Sequence, residues 1–585
     1  MREARSRKAR ISIATPEDRQ AIYRLRHAVY AEELGQYKAT PDGMLTDALD
    51  AFNEYIVAQV DGELVGFISI TPPGFGKYSI DKYVAREELA LAFDDGLYEL
   101  RVLTVAREHR SSRLAAALMY AAFRWAEEQG ARHFVAMGRT DVVSLYLKQN
   151  LQPMNRKIRA GAVDFELLQA SVGQMREHVE RHHRFYKRLQ QDVAWETGFP
   201  FFKETCCFHG GAFFDAIGTE FDALERRDAI VNADVLDAWF PPAPGVIETL
   251  QEHLPWLMRT SPPTPSDGLR RAIARARGVD EENVLPGAGS SSLIYLAFRE
   301  WLDRNSRVLI LDPMYGEYAH VLEKVIGCKV DRLTLAREDG YAVDLDELRA
   351  RTQMGYDLIV LVNPNNPTGR HIARGELERV LRQVPASTRV WIDEAYLEYA
   401  GAGESVERFA ARSANVVVCK SMSKVYGLSG MRVAYLCGPM HLLSGLARIT
   451  PPWAVGLPAQ VAAVRALAEE PYYAARYRET HCLRAELVAG LRRIGIEEIV
   501  PGTANFVMFH LEQHHPEAAA VLRECREMGV FLRDPSLMGS EVGGRALRAA
   551  VKDRATNAIV IEALERSLGG GVEVEMETLV EVAQG

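Results

Sequence analysis

From about Ile230 onward the chain repeats one pattern. Short continuous apolar runs, RVLILDP, DLIVLVNP, RVWIDEA, NVVVCK and RVAYLCG, are separated by helix-like stretches. A strand with one wet face alternates apolar and polar residues; these runs do not, so both of their faces must be covered. The pattern predicts an α/β architecture with a mainly parallel sheet between helix layers. Open sheets of this kind bind ligands beyond the carboxyl ends of their strands, so the residues that follow each run are the candidates for chemistry.

At 585 residues the chain is too long for one small module. Residues 1–160 mix strands (YIVAQV, LVGFISI, YELRVLTV, HFVAMG) with amphipathic helices (RQAIYRLRHAVYAEEL, RLAAALMYAAFRWAEEQG) and predict a separate compact α/β domain. Residues 161–229 hold a charged stretch with helical spacing from about Val163 to Glu196, which predicts a helical connector or docking surface. Residues 230–570 form the second α/β domain, and an acidic tail, 571–585, closes the chain.

Hydrophobic residues are 48% of the sequence and charged residues 25%, which excludes a disordered chain. A net charge of −9 supplies no cation field for a phosphate backbone, so nucleic acid is not an expected partner. The apolar run Leu114 to Phe123 is too short to span a bilayer, and the charged start has no signal-peptide core. No membrane partner and a cytoplasmic location are expected. The seven cysteines form no CxxC pair; Cys206, Cys207 and His209, like His178, His182 and His183, lack zinc-ligand spacing, and no metal is expected.

The most informative segment follows NVVVCK: Lys420-Ser421-Met422-Ser423-Lys424, with Arg432 eight residues past Lys424. Two hydroxyls, an amine and a guanidinium suit an aldehyde cofactor that carries a phosphate. Lys424 is placed to form the imine, and Ser421, Ser423 and Arg432 to hold the dianion. Alone, such a loop is ordinary surface; four other segments support the reading. Pro286-Gly287-Ala288-Gly289-Ser290-Ser291 precedes an apolar helix and offers backbone N–H groups to phosphate, although a plain serine cap has the same look. Asn363-Pro364-Asn365-Asn366-Pro367 follows the strand LIVLV. Asp393 ends RVWI and leads to Tyr396, and a buried carboxylate there needs a cationic partner such as a pyridinium nitrogen. Tyr315 follows RVLILD and could stack on a flat ring.

In order and spacing these five segments resemble the fold-type I pyridoxal-phosphate (PLP) enzymes of the aspartate-aminotransferase fold, and more closely histidinol-phosphate aminotransferase and threonine-phosphate decarboxylase. The resemblance covers roughly Ile230 to Arg566. It implies PLP with Lys424 as the Schiff-base lysine, Asp393 at the pyridine nitrogen, Asn366 and Tyr396 at the phenolic oxygen and Tyr315 against the ring. The phosphate would lie on the Ser290 and Ser291 amides with Ser421, Ser423 and Arg432. Catalysis would fall to Lys424, Asp393 and Tyr396. Asn505, Arg533 and Arg548 would bind the substrate, Arg548 pairing with an α-carboxylate. It also implies a small C-terminal subdomain, a homodimer, and an amino acid or amine as small-molecule substrate. The chain departs from the family at its substrate side: Asn-Glu-Asn-Pro is replaced by the segment from Ala233 to Pro241, and Arg-Tyr-Pro-Asp by Arg259-Thr260-Ser261-Pro262-Pro263. Transamination, decarboxylation, elimination and γ-replacement all remain open. An aminotransferase is the first expectation, a lyase or carbon-bond-forming enzyme the second, and a non-catalytic regulator the third.

In the N-terminal part, Leu97 to Val105 followed by Arg110-Ser111-Ser112-Arg113-Leu114-Ala115 has the order strand, turn, helix N-terminus. It resembles the GNAT family of N-acetyltransferases, leaning towards acyl-homoserine-lactone and N-acyl amino acid synthases through Leu25 to Tyr30 and Glu33-Leu34-Gly35. The resemblance implies an acyl-CoA turn at Arg110 and Arg113, with Tyr146 as general acid. Arg113 stands where the family has glycine, and a long side chain there is expected to obstruct the pyrophosphate or bind it differently, so acyl-CoA binding is expected to be weak.

Overall fold

The computed structural model describes residues 8–569 apart from 75, 90, 111–112, 161–162, 203–209, 219–220 and 222. Ser111, Ser112, Cys206, Cys207, His209 and the acidic tail lie outside the described residues. The chain divides into two units, Met1–Thr205 and Cys206–Gly585.

Eight strands of the first unit make one sheet: β1 Ala9–Ile13, β2 Glu54–Val60, β3 Glu63–Thr71, β4 Leu97–Val105, β5 His133–Arg139, β6 Gln152–Ala160, β7 Val163–Ser171 and β8 Val193–Glu196. Their order is β6-β7-β5-β4-β3-β2-β1-β8, and only the β4/β5 and β1/β8 pairs are parallel. The helix Leu114–Glu128 packs on β3 and β4, with buried Ala117, Ala121 and Ala122 letting it approach closely. β4 runs beside β5 only from Leu97 to Leu100, opposite His133 to Ala136. Beyond that point the two strands diverge, Val102 takes a φ of +49°, and a cleft opens.

The helical connector expected over 161–229 is corrected here. Residues 163–171 alternate in burial, as VDFELLQAS allows, and form β7 between β5 and β6. The helices Val172–Arg181 and His183–Asp192 follow, and Val193–Glu196 then pairs with β1 as β8. The stretch completes the N-terminal sheet.

The second unit is built on a seven-stranded sheet from β10 Val284–Gly287, β11 Arg307–Asp312, β12 Lys329–Thr334, β13 Leu358–Val362, β14 Arg389–Asp393, β15 Val416–Ser421 and β16 Ala434–Cys437, after a short β9 Val231–Asn232. The order is β10-β16-β15-β14-β13-β11-β12, parallel from β15 through β12 and antiparallel at β16. β13 to β15 are buried at nearly every residue, as their unbroken apolar runs require. Trp391 is fully buried against Phe298 and Trp301 of the helix Ser290–Trp301. The small subdomain carries β17 Phe506–His510 antiparallel to β19 Ala546–Ala550, and β18 Val530–Phe531 parallel to β9. No helix among the described residues is long and apolar enough to cross a membrane.

Candidate active site

The carboxyl ends of β13, β14 and β15 converge on one place. Asp393 is the last residue of β14, and the four-residue helical turn Ser423–Tyr426, which contains Lys424, follows β15 directly. Lys424 Nζ donates to Asp237 Oδ1 at 2.8 Å, and Ser429 Oγ donates to the same oxygen at 2.6 Å. Burial works against the Asp237 charge, but Lys424, Ser429 and Lys552 outweigh it and hold the carboxyl below its ordinary range. Lys552 faces this pair. Burial, with Lys424 adding like charge, brings its amine down to about 8 although Asp237 opposes.

Asp393 is buried, and desolvation raises its pKa against the pull of its hydrogen bonds and Lys420. Its Oδ2 accepts from Tyr318 at 2.6 Å and its Oδ1 from the Ala395 amide at 3.0 Å. Tyr318 in turn accepts from Trp391 Nε1 at 2.9 Å, so the carboxyl is held from two directions. Asn366 Nδ2 donates to the Tyr396 hydroxyl at 3.4 Å, and burial pushes that hydroxyl's pKa up, with Arg548 opposing.

A second cluster forms where the helix Ser290–Trp301 begins. Gly289 precedes Ser290 and Ser291 with a φ of +87°, and a Cβ there would lie 2.4 Å from Arg432 Nη2. The missing Cβ leaves room for the guanidinium against this helix N-terminus, at a positive φ that glycine adopts readily. Arg432 has a φ of +53°, rare for a non-glycine residue, and donates to the Ser429 carbonyl at 3.2 Å. Ser421 Oγ accepts the Ser423 amide at 3.3 Å. The serines, the helix N-terminus and Arg432 make an anion cradle that a Cβ would fill, and Asp393 adds a buried carboxylate suited to a cationic ring nitrogen. On both counts the residues fit PLP. Tyr315 is half-buried at the start of the turn that carries Tyr318, 6.0 Å from it between ring centroids.

On the substrate side, Arg548 lies on β19 and bridges to Arg533. Burial, then the like charge of Arg533, brings the Arg548 guanidinium down to about 10. Asn505 is fully buried; its Nδ2 donates to the Leu236 carbonyl at 3.0 Å, while its Oδ1 has no partner among the described residues. Asp234, Asp237, Trp391 and Lys552 join the site without any motif that assigns them to it, and Tyr318 does so as a partner of Asp393. Asp234 and Asp237 fall in the very segment that departs from the family pattern, whereas nothing local marks Lys552. Lys420, quoted with Lys424, faces away: its amine meets Glu398 at 2.8 Å and Glu394 at 3.4 Å in a buried ion cluster.

With that geometry in place, the similarity to known proteins is direct. Residues 239–564, more than half of the chain, match the model of aminotransferase class I and II. The chain belongs to this family. It is therefore a PLP-dependent transferase. A histidinol-phosphate aminotransferase of Carboxydothermus hydrogenoformans is 30% identical over 333 residues, 55% of this chain and 89% of that protein. One from Moorella thermoacetica is 29% identical, over 56% of this chain and 82% of that protein. Among solved structures, the histidinol-phosphate aminotransferase of Sinorhizobium meliloti in complex with pyridoxal-5'-phosphate superposes with a TM-score of 0.54 at 22% identity, over 62% of this chain and 99% of that one. L-threonine-O-3-phosphate decarboxylase from Porphyromonas gingivalis gives 0.51 at 24% identity, over 58% and 100%. At these identities the two structures speak for the fold.

Residues 19–150 match the model of the acetyltransferase (GNAT) family. A cavity of about 340 Å³ occupies the cleft where β4 and β5 diverge, lined by Leu103, Val105, Met137, Leu145 and Phe165 together with Arg101, Arg110, Arg139 and Tyr146. Burial pushes the Tyr146 hydroxyl's pKa up, so it stays protonated. Arg110 forms a two-point ion pair with Glu33 and donates from Nε to the Val105 carbonyl at 3.0 Å. The Arg113 side chain pairs with Asp192 at the surface.

Proposed function

We propose that the second unit is an aminotransferase-type enzyme acting on an amino acid or amino-phosphate, with Lys424, Asp393 and Tyr396 at the reacting centre. The observation that carries this reading is the convergence of Lys424 and Asp393 beyond adjacent parallel strands, next to the anion cradle at Gly289 and Arg432. PLP, when bound, supplies an electron-accepting ring for the bond that breaks at the substrate Cα. Asp393, fixed by Tyr318 and Ala395, would keep a proton on the ring nitrogen. Ser290 and Ser291 amides, Ser421, Ser423 and Arg432 would hold the phosphate, and Asn366 with Tyr396 the phenolic oxygen. Tyr315 would lie against the ring face. Lys424 is the group placed to take and return the Cα proton. Arg548, with Arg533 and Asn505, would orient the substrate carboxylate.

A homodimer is the assembly we propose. Leu254, Trp256 and Met258 on the helix Pro244–Arg259 are half or more exposed, or nearly so, and a partner would cover such large apolar groups. The acting experiment is to incubate the PLP-loaded protein with single amines and follow the visible absorbance, with and without a 2-oxo acid acceptor. Acceptor-dependent turnover supports transamination. Product formation without an acceptor would instead favour a lyase.

For the first unit we propose a binding site for the acyl part of a thioester in the β4/β5 cleft, supported by its apolar walls and by the protonated Tyr146 at its edge.

A further inference from the structure

One of the two carboxylates entering from residues 233–241 changes what the centre can bind. Arg548 is 4% exposed. Its Nη1 donates to Asn366 Oδ1 at 2.5 Å and its Nη2 to the Asp234 carbonyl at 2.9 Å, while its Nε is buried with no partner among the described residues. Asp234 is equally buried and sets Oδ1 3.5 Å from Arg533 Nη1. Its Oδ2 accepts the Gly211 amide at 3.2 Å. The backbone at Gly210 closes over the same carboxyl: a Cβ there would lie 2.5 Å from Asp234 Oδ2, and the φ of +90° is one that glycine tolerates. The carboxylate is therefore fixed in place beside the two guanidiniums.

We propose that Asp234 is a specificity-determining residue that restricts this centre to amino substrates bearing a carboxylate and turns away those bearing a phosphate monoester. The proposal rests on the reading of Arg548 as the substrate-anion site. Two guanidiniums alone would suit a dianion. Asp234 beside them offsets part of that charge, which suits the site to a singly charged carboxylate. A phosphate monoester carries about −1.5 to −2 at neutral pH and would leave surplus negative charge in a desolvated place.

The test titrates the PLP-loaded full chain with acetate and with orthophosphate and reads dissociation constants from the shift of the visible band. Wild type should bind acetate at least tenfold more tightly than orthophosphate. Asp234→Asn should tighten orthophosphate at least tenfold while moving acetate less than threefold; Asp234→Ser serves as a second neutral variant. L-Histidinol phosphate should be neither bound nor converted by wild type. Orthophosphate binding as tight as acetate, no band shift with either anion, an unmoved ratio in a folded variant, or turnover of L-histidinol phosphate would each overturn the proposal. If neither variant folds, the wild-type ratio and the L-histidinol phosphate result decide alone. Absence of the visible band itself would strike the PLP reading instead, so the two failures are told apart.

Discussion

The Tyr318 hydroxyl donates to Asp393 Oδ2 at 2.6 Å while accepting from Trp391 Nε1. One buried phenol thus couples the carboxylate at the centre to the packed core of the sheet. Tyr318→Phe should leave Trp391 Nε1 buried without an acceptor and Asp393 with one protein donor fewer. A stability loss of about 1–3 kcal/mol is expected, together with at least a tenfold fall in kcat and a smaller change in KM. Thermal denaturation and steady-state kinetics check both; unchanged kcat would show that Asp393 needs no such support.

Asp393→Asn is expected to lower kcat by several orders of magnitude with the fold intact, because an amide cannot hold the ring-nitrogen proton. Turnover near the wild-type rate would refute the role given to Asp393.

Borohydride reduction of the PLP-loaded protein followed by peptide mapping should place the pyridoxyl label on Lys424. Lys424→Ala should abolish turnover and still take up PLP without a covalent link. A label on Lys420 or Lys552 would move the reacting amine elsewhere.

Much of this was legible locally. RVWID and NVVVCK are strands because every residue is apolar or ends the run, and Asp393 and Lys424 stand where such strands stop. The glycine at 289 signalled a phosphate loop, but its closeness to Arg432, 143 positions away along the chain, is a property of the folded sheet. Asp237 reaches Lys424 across a separation of 187 residues, and Asp393, Tyr318 and Trp391 meet only because β11 and β14 lie in one sheet. No local pattern encodes such contacts. The stretch from Val163 to Glu196 misled because its charged middle is helical and its two ends are not. β8 in particular is four residues long and is held by β1, almost the whole unit away in sequence.

Lys552 supplies the pH prediction. Its amine is drawn down to about 8, chiefly by burial, so it is charged at pH 7 and loses its proton as the pH rises through 8. The Lys424–Asp237 pair then loses a neighbouring positive charge. The wild-type pH profile of kcat/KM should show an inflection near pH 8, and Lys552→Met should remove it. The sign for stability is the same in direction: a lysine depressed on folding penalises the folded state below its folded pKa, and that penalty is relieved as the pH rises from about 8 towards the ordinary lysine range. Denaturation midpoints of Lys552→Met should accordingly depend less on pH across that window than those of wild type. An inflection retained in Lys552→Met would assign it to another group.

The last prediction concerns the cleft of the first unit. Arg110 and Arg113 each have a carboxylate partner, Glu33 and Asp192, so neither brings an uncompensated positive charge to a pyrophosphate. Acetyl-CoA, whose acyl group is small, should therefore bind weakly. A longer acyl thioester can fill the cavity of about 340 Å³ along Leu103, Val105, Met137, Leu145 and Phe165, and each methylene buried there contributes roughly 0.8 kcal/mol. Calorimetry on the full chain should show affinity rising at least tenfold from acetyl-CoA to an eight-carbon acyl-CoA. Asp192→Asn, which releases Arg113 from its ion pair, should raise the affinity for both by a similar factor, because the thioester chain does not sense that change. Tight acetyl-CoA binding by wild type, or affinity independent of acyl length, would show that the turn and not the cleft governs binding.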